Sequence, residues 1–134
     1  MTDKIHILAE QDIIVARRIG RALAKDLGFS LVDQSRIVIS ISELSRNIFQ
    51  YAGKGTIQIQ AYKAEVNQGI EIIAEDCGPG ILDTKLALLD TFSTSKSLGM
   101  GLPGIQRLMN EFHLTSTYGS GTSITVRKWL SNKE

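Results

Sequence analysis

At Gly53-Lys54-Gly55 the spacing of apolar residues changes from helical to strand-like, and that switch limits the folds open to the chain more than any other feature. Before it, Ile13, Ala16, Ile19, Leu23 and Leu27, then Val32, Ile37, Ile41, Leu44 and Ile48, recur at the spacing of two amphipathic helices. After it, residues 56–62 (Thr-Ile-Gln-Ile-Gln-Ala-Tyr) alternate strictly, as a strand with one buried face does. The punctuation agrees. Asp12 is predicted to cap the first helix and Gly28 to stop it. Ser30 with Asp33 reads as a variant capping box for the second helix, which runs to about Tyr51. A strand over 4–8 precedes these helices. A strand over 70–75, ending at Asp76, follows a hairpin at Asn67-Gln68-Gly69. Further on, the pattern predicts a short helix over 83–90, a polar, mobile loop over 91–98 and a helix over 101–112 that buries Leu102, Ile105, Leu108, Met109 and Phe112. A final hairpin joins 113–118 to 122–129 around Gly119-Ser120-Gly121.

The order β-α-α-β-β-(α)-α-β-β segregates helices from strands, which predicts an α+β fold: a two-layer α/β sandwich whose mixed, mostly antiparallel sheet is covered by helices on one face. With 134 residues and neither repeat nor linker, a single domain over 1–134 is expected. Several function classes fall away on bulk properties. A formal charge of +1 and 6% aromatic residues give no field or stacking platform for nucleic acid. No apolar run approaches the roughly 20 residues of a membrane span, and no signal-peptide core follows Met1, so a cytoplasmic protein is expected. The single cysteine, Cys77, excludes an internal disulfide and any zinc-type spacing, and reads as a packing residue. His6 and His113 fall on predicted strands with no serine or cysteine in a catalytic pattern.

Three short stretches carry the chemistry. Glu43 and Asn47 lie four residues apart on the second helix and so share a face. An amide oxygen at Asn47 suits a magnesium ion, which keeps its waters and substrate phosphates, and Glu43 could take a proton from an attacking hydroxyl. A solvated polar face would show the same residues. Asp76 ends a strand and precedes Gly78 and Gly80. A carboxylate there can accept a hydrogen bond from an adenine amino group while the glycines let the backbone approach the ring; a plain turn fits the same residues. Gly99-Met100-Gly101-Leu102-Pro103-Gly104 matches G-x-G-x-x-G but follows a polar loop rather than a strand and lacks the downstream acid, which rejects a dinucleotide site. A glycine loop at a helix N-terminus remains, which suits phosphate. Pro103 is tolerated in that first turn, and Lys96 upstream is either a phosphate contact or a surface lysine. Walker-type and eukaryotic-kinase motifs are absent.

Glu43-x-x-x-Asn47, Asp76-x-Gly78-x-Gly80 and Gly99-x-Gly101-x-x-Gly104 resemble, in order and spacing, the N, G1 and G2 boxes of the GHKL ATPases, the superfamily of gyrase, Hsp90, MutL and the histidine kinases. The short chain is most similar to the bacterial serine-kinase branch, the anti-sigma and switch kinases of partner-switching systems. That likeness runs through Ile41-Ser42-Glu43-Leu44-Ser45-Arg46-Asn47-Ile48, Tyr51-Ala52-Gly53-Lys54-Gly55 and Arg107-Leu108-Met109-Asn110-Glu111-Phe112. The resemblance implies the Bergerat (GHKL) fold, with ATP and Mg2+ as ligands. It implies Glu43 as general base toward a serine or threonine hydroxyl, Asn47 as the magnesium ligand and Asp76 as the adenine contact, helped by Thr122 through water. Gly78 and Gly80 would shape the adenine pocket. Gly99, Met100, Gly101, Leu102 and Gly104 would form the phosphate side and hinge of an ATP lid, with Lys96 and Arg46 near the phosphates. Sporulation-type anti-sigma kinases often carry a small residue before the asparagine and a histidine four residues after it. Arg46 and Tyr51 stand at those places here, which fits the switch-kinase subgroup. The implied substrates are antagonist and scaffold STAS-domain proteins of a stressosome, with a PP2C-type phosphatase as the activated partner. The alternative is an anti-sigma factor that sequesters a sigma factor and phosphorylates an anti-anti-sigma protein. Relatives form dimers, and a homodimer stays open for this chain.

Overall fold

A computed structural model describes residues 2–78, 101–117 and 119–130. Strand β1 (Thr2–Ile7) leads into helices α1 (Gln11–Leu27) and α2 (Leu31–Asn47), and a single π-helical turn (Ile48–Ala52) closes α2. Strands β2 (Gly55–Lys63) and β3 (Gln68–Asp76), helix α3 (Gly101–Leu108) and strands β4 (Glu111–Thr117) and β5 (Gly121–Trp129) follow. The helix expected over 83–90, the loop over 91–98 and the candidate residues Gly80, Lys96, Gly99 and Met100 lie outside the described residues.

The described strands form one five-stranded sheet in the order β1-β2-β3-β5-β4. All four ladders are antiparallel, so the two-layer α+β expectation holds without the mixed pairing it allowed for. Register puts Ile5, Ile57, Ala74 and Ile124 in one row across the sheet, with Ile59, Ile72 and Val126 in the next. These side chains are buried together with Ala16 and Ala24 of α1, Ile37, Ile41 and Leu44 of α2 and Leu102 and Ile105 of α3. One sheet face thus meets all three helices, the arrangement that hides both amphipathic layers. Helix α1 lies closest to α2 at Gly20, where a Cβ would run into the Ile41 side chain. Ile19, Leu23 and Leu27, expected in the core, are only partly buried against it.

The caps differ in one respect from expectation. Asp12 is not the N-cap of α1; Glu10 is, and it makes no side-chain cap. From inside the first turn, Asp12 Oδ2 instead accepts hydrogen bonds from the backbone N–H groups of Leu8 and Ala9, each 2.9 Å. A carboxylate there satisfies the connection from β1 and sits at the positive end of the helix. Gly28 ends α1 at φ +97°, with its own N–H on the Lys25 carbonyl and that of Phe29 on the Ala24 carbonyl, a pairing that needs a left-handed residue. Ser30 Oγ caps α2 by accepting from the N–H of Asp33 at 3.1 Å.

Helix α3 stops at Leu108, four residues before the predicted end at 112. Tertiary partners override the apolar period there. The Asn110 N–H bonds the Arg127 carbonyl (2.9 Å), Asn110 Oδ1 accepts from the Trp129 N–H (2.7 Å), and Phe112 pairs with Val126 from within β4. Lys128, buried on the helix side of β5, donates to the Leu108 carbonyl at 2.9 Å and lies 3.8 Å from Asp33 Oδ1 at the start of α2. It thereby ties the negative end of α3 and the positive end of α2 to the sheet. The opposite sheet face carries a polar network. Arg127 bonds Glu71 (2.8 Å) and Glu111 (2.9 Å), lies 4.2 Å from the centre of the Tyr62 ring, and Gln60 also donates to Glu71.

Burial lowers the Lys128 pKa below the ordinary lysine value, and nearby Asp33 opposes that shift without cancelling it. The charged form is therefore disfavoured in the fold. In the window between the depressed folded value and the unfolded one, the unfolded chain holds the extra proton, so stability contributed by this group rises with pH. Measured against Lys128→Met, the wild-type protein is expected to gain unfolding free energy as pH rises through that window. A constant difference in denaturant unfolding across it would contradict the assignment.

Candidate functional site

The last turn of α2, the π-helical turn and the end of β3 meet at one place. Glu43 points from α2 and is 6% exposed; Arg46, one turn on, donates from Nη1 to Glu43 Oε2 at 2.7 Å. The Arg46 side chain is 38% exposed against 8% for that of Glu43. Asn47 is the final residue of α2, and its side-chain amide has no protein hydrogen-bond partner among the described residues. The wider turn that follows closes with the Gly53 N–H on the Ile48 carbonyl at 2.9 Å, and Gly53 sits at φ +83°. Such turns redirect a helix end, and they recur at functional sites.

That turn packs directly on the Asp76 loop. A Cβ on Gly78 would lie 2.6 Å from the Cβ of Ala52 and 2.8 Å from its Cα. A Cβ on Gly55 would lie 2.8 Å from Ile48 Cγ2 and would also meet the Glu75 carbonyl, and one on Gly121 would lie 3.0 Å from the Cα of Cys77. These distances are too short for any side chain, so the carboxylate of Asp76 stands in a cradle of three glycines from three strands or their turns. Asp76 Oδ1 accepts from the Gly78 N–H at 2.9 Å, and Oδ2 has no protein partner among the described residues. Thr122 is the register partner of Asp76 on β5, and its hydroxyl shares a hydrogen bond with that of Ser116 at 3.0 Å. Helix α3 begins at Gly101 with φ +54°, and its first turn is buried at Leu102, Pro103 and Gly104.

The structure therefore brings Glu43, Arg46, Asn47, Asp76, Gly78 and Thr122 to the junction of α2 with the sheet, and it roots Leu102 in the core cluster that holds Leu44 and Ile48. Gly55, Gly121 and Ala52 belong to this site too, and the sequence pattern offered the two glycines only as turn formers. Their signal was positional: each lies at the end of a strand that flanks Asp76. Cys77 is exposed with its Cα against Gly121, and His6 and His113 are exposed strand residues. Among the described residues no group of three His, Cys, Asp or Glu could hold a metal ion. One neutral amide oxygen, Asn47, fits magnesium, which keeps several waters and binds mainly through substrate phosphate oxygens. The arrangement can thus seat an adenine at Asp76 and present a carboxylate beside a phosphate chain.

Residues 32–132 match the family of histidine kinase-, DNA gyrase B- and HSP90-like ATPases, and the chain belongs to that family. Within it, the chain is 54% identical over 126 residues to the serine/threonine-protein kinase RsbT of Bacillus subtilis (strain 168), a likeness that covers 94% of this chain and 95% of that protein. It is 32% identical over 121 residues to the anti-sigma F factor of Caldanaerobacter subterraneus subsp. tengcongensis, covering 86% and 83% of the two chains. Among solved structures, the RsbU and RsbW domains of Rv1364c from Mycobacterium tuberculosis share the fold, with a TM-score of 0.62 and 20% identity. That match covers 98% of this chain and 33% of the other. No helix among the described residues is long and apolar enough to cross a membrane.

Gly78→Ala tests the cradle. The added methyl must push the Asp76 loop off Ala52, which is expected to cost about 1–3 kcal/mol of stability and to weaken ADP binding by about tenfold or more in calorimetry. Wild-type affinity in the variant would show that the loop does not form the adenine pocket.

Proposed function

We propose that the chain is an ATP-dependent serine/threonine protein kinase that works as a partner switch, phosphorylating STAS-domain antagonist and scaffold proteins and, once released from them, binding and activating a PP2C-type phosphatase. Near full-length identity to RsbT supports the kinase activity. The observation that carries the chemistry is the buried Glu43 carboxylate on the same α2 face as Asn47, at the end of the helix that packs on the Asp76 cradle.

In this reading Asp76 accepts a hydrogen bond from the adenine amino group through its unengaged oxygen. Asn47 holds the magnesium ion, which supplies charge neutralisation at the phosphates. Gly101, Leu102 and Gly104 form the inner edge of the phosphate site, and the resemblance adds Gly80, Lys96, Gly99 and Met100 around it. Glu43 takes the proton from the substrate hydroxyl as that oxygen bonds to the γ-phosphorus in line, and the bond to ADP breaks with its electrons leaving on the ADP oxygen. Positioning and charge neutralisation do most of the work in such transfers. The phosphate added to the substrate carries a charge near −2 and, placed in a packed protein interface, opposes binding by repulsion and desolvation. That gives the release step its physical cause.

The relation to anti-sigma F factors supports a second reading, sequestration of a sigma factor with phosphorylation of an anti-anti-sigma protein. Arg46 and Tyr51 favour the first. Affinity capture from the native cells separates them: STAS proteins should co-purify, and a sigma factor in their place would select the second.

Transfer of the γ-phosphoryl group from radiolabelled ATP to a captured STAS protein is the direct test. Glu43→Ala is expected to reduce the transfer rate by about 10²–10⁴-fold while the variant still binds ATP. A wild-type rate would remove Glu43 from the base role. Asp76→Asn presents an amide where a carboxylate accepts, and ADP affinity by calorimetry is expected to drop about tenfold; an unchanged affinity would refute the adenine contact.

A further inference from the structure

We propose that Arg46 is a positioning residue that changes partners during the reaction: it holds Glu43 in an ion pair before ATP binds and moves to the γ-phosphate oxygens afterwards, so that Glu43 Oε2 is released only at a loaded site. The inference rests on the reading of Glu43 as the general base.

Three observations carry it. First, one oxygen of Glu43, Oε2, is already engaged, by Arg46 Nη1 at 2.7 Å, which leaves the carboxylate fewer acceptor sites for a hydroxyl proton. Second, the two partners differ in freedom. The Glu43 side chain is 8% exposed and the Arg46 side chain 38% exposed. Arg46 can therefore swing while Glu43 stays. Third, Arg46 spends one N–H on Glu43, and its other guanidinium donors have no protein partner among the described residues. Arg46 and Asn47 flank Glu43 on α2, at i+3 and i+4, so both lie on the helix side that would face the phosphates if Asn47 holds the magnesium ion. A phosphate can take a guanidinium on two oxygens at once, a stronger arrangement than the single bond to Glu43.

Charge balance couples the exchange to chemistry. A buried carboxylate that loses its cation is unfavourable until it is neutralised. When Arg46 leaves, the proton of the substrate hydroxyl supplies that neutralisation, as the hydroxyl oxygen bonds to phosphorus. The pair thereby favours nucleotides with a γ-phosphate over ADP, and it keeps one oxygen of the base engaged in the empty protein.

The exchange makes Glu43 a competitor of the γ-phosphate, which calorimetry can read without turnover. The probes are Mg-ADP and the Mg complex of the β,γ-imido analogue of ATP, titrated into wild type, Arg46→Met, Glu43→Gln and the double variant. Arg46→Met is expected to reduce the preference for the analogue over ADP about tenfold, the worth of a charge-assisted hydrogen bond. Glu43→Gln is expected to tighten the analogue by about three- to tenfold with ADP unchanged, and to add nothing in the Arg46→Met background. Unchanged or weaker binding of the analogue by Glu43→Gln, or the same gain with Arg46 absent, overturns the exchange. In the wild-type protein, the side-chain 15N signal of Arg46, identified by its loss in Arg46→Met, is expected to move with the analogue and not with ADP; a signal that ignores the analogue also overturns it. Phosphoryl transfer by Glu43→Gln is read separately. Retained transfer removes Glu43 as the base, whereas lost transfer with unaltered affinities removes only the exchange.

Discussion

Close packing of the π-helical turn on the end of β3 is the constraint from which the rest of the site follows. Ile48 and Ala52 sit against Gly55 and Gly78 at distances no side chain tolerates. That contact fixes where α2 ends relative to Asp76. Were the helix to continue regularly past Asn47, its next turn would carry Tyr51 and Ala52 along the α2 axis instead of back onto the sheet. The wider turn shortens that path. It leaves Asn47 as the last helical residue, almost thirty positions before Asp76 in the chain, and folds the turn that follows it back onto the end of β3.

The two ends of the sandwich are built on different chemistry. Away from the site, polar side chains hold the elements together: Lys128 joins α3, α2 and β5, and Arg127 joins β3, β5 and β4 through Glu71 and Glu111. In Arg127 burial works against the positive charge, yet the two carboxylates more than offset it and its pKa is raised. At the site end, glycines replace such ties. Gly55, Gly78 and Gly121 contribute backbone that comes close without side chains, and Gly53 and Gly101 take positive φ. A rigid far end with a lean near end suits a protein that must admit a nucleotide and then respond to it. Among the described residues, the ion pair at the near end joins buried Glu43 to the more exposed Arg46.

Much of the fold was legible because the periodicities are clean. The α1 and α2 stripes, the strict alternation of β2 and the stop at Gly28 each rest on local physics, and each is found in the structure. Local physics also explains the exceptions. Asp12 could satisfy backbone donors from two positions, as a cap or from the first turn, and propensity does not choose between them. Met109 and Phe112 continue a helical period past Leu108, but hydrogen bonds from β5 to Asn110 and Phe112 convert that stretch to strand. Non-local partners of this sort leave no trace in a short window of sequence.

By itself the sequence determined the element types, the two layers and the residue types of the site, because helical period, strand period and glycine spacing are properties of neighbouring residues. The tertiary structure alone decided that Ala52 meets Gly78, that Gly55 and Gly121 belong beside Asp76, and that Arg46 lies on Glu43 instead of in solvent. The physical reason is distance along the chain. The contacts that build the cradle, Ala52 with Gly78, Gly55 with Asp76 and Asp76 with Gly121, join residues far apart in the chain, and only the closing of the sheet under α2 brings their backbones near enough to exclude a side chain.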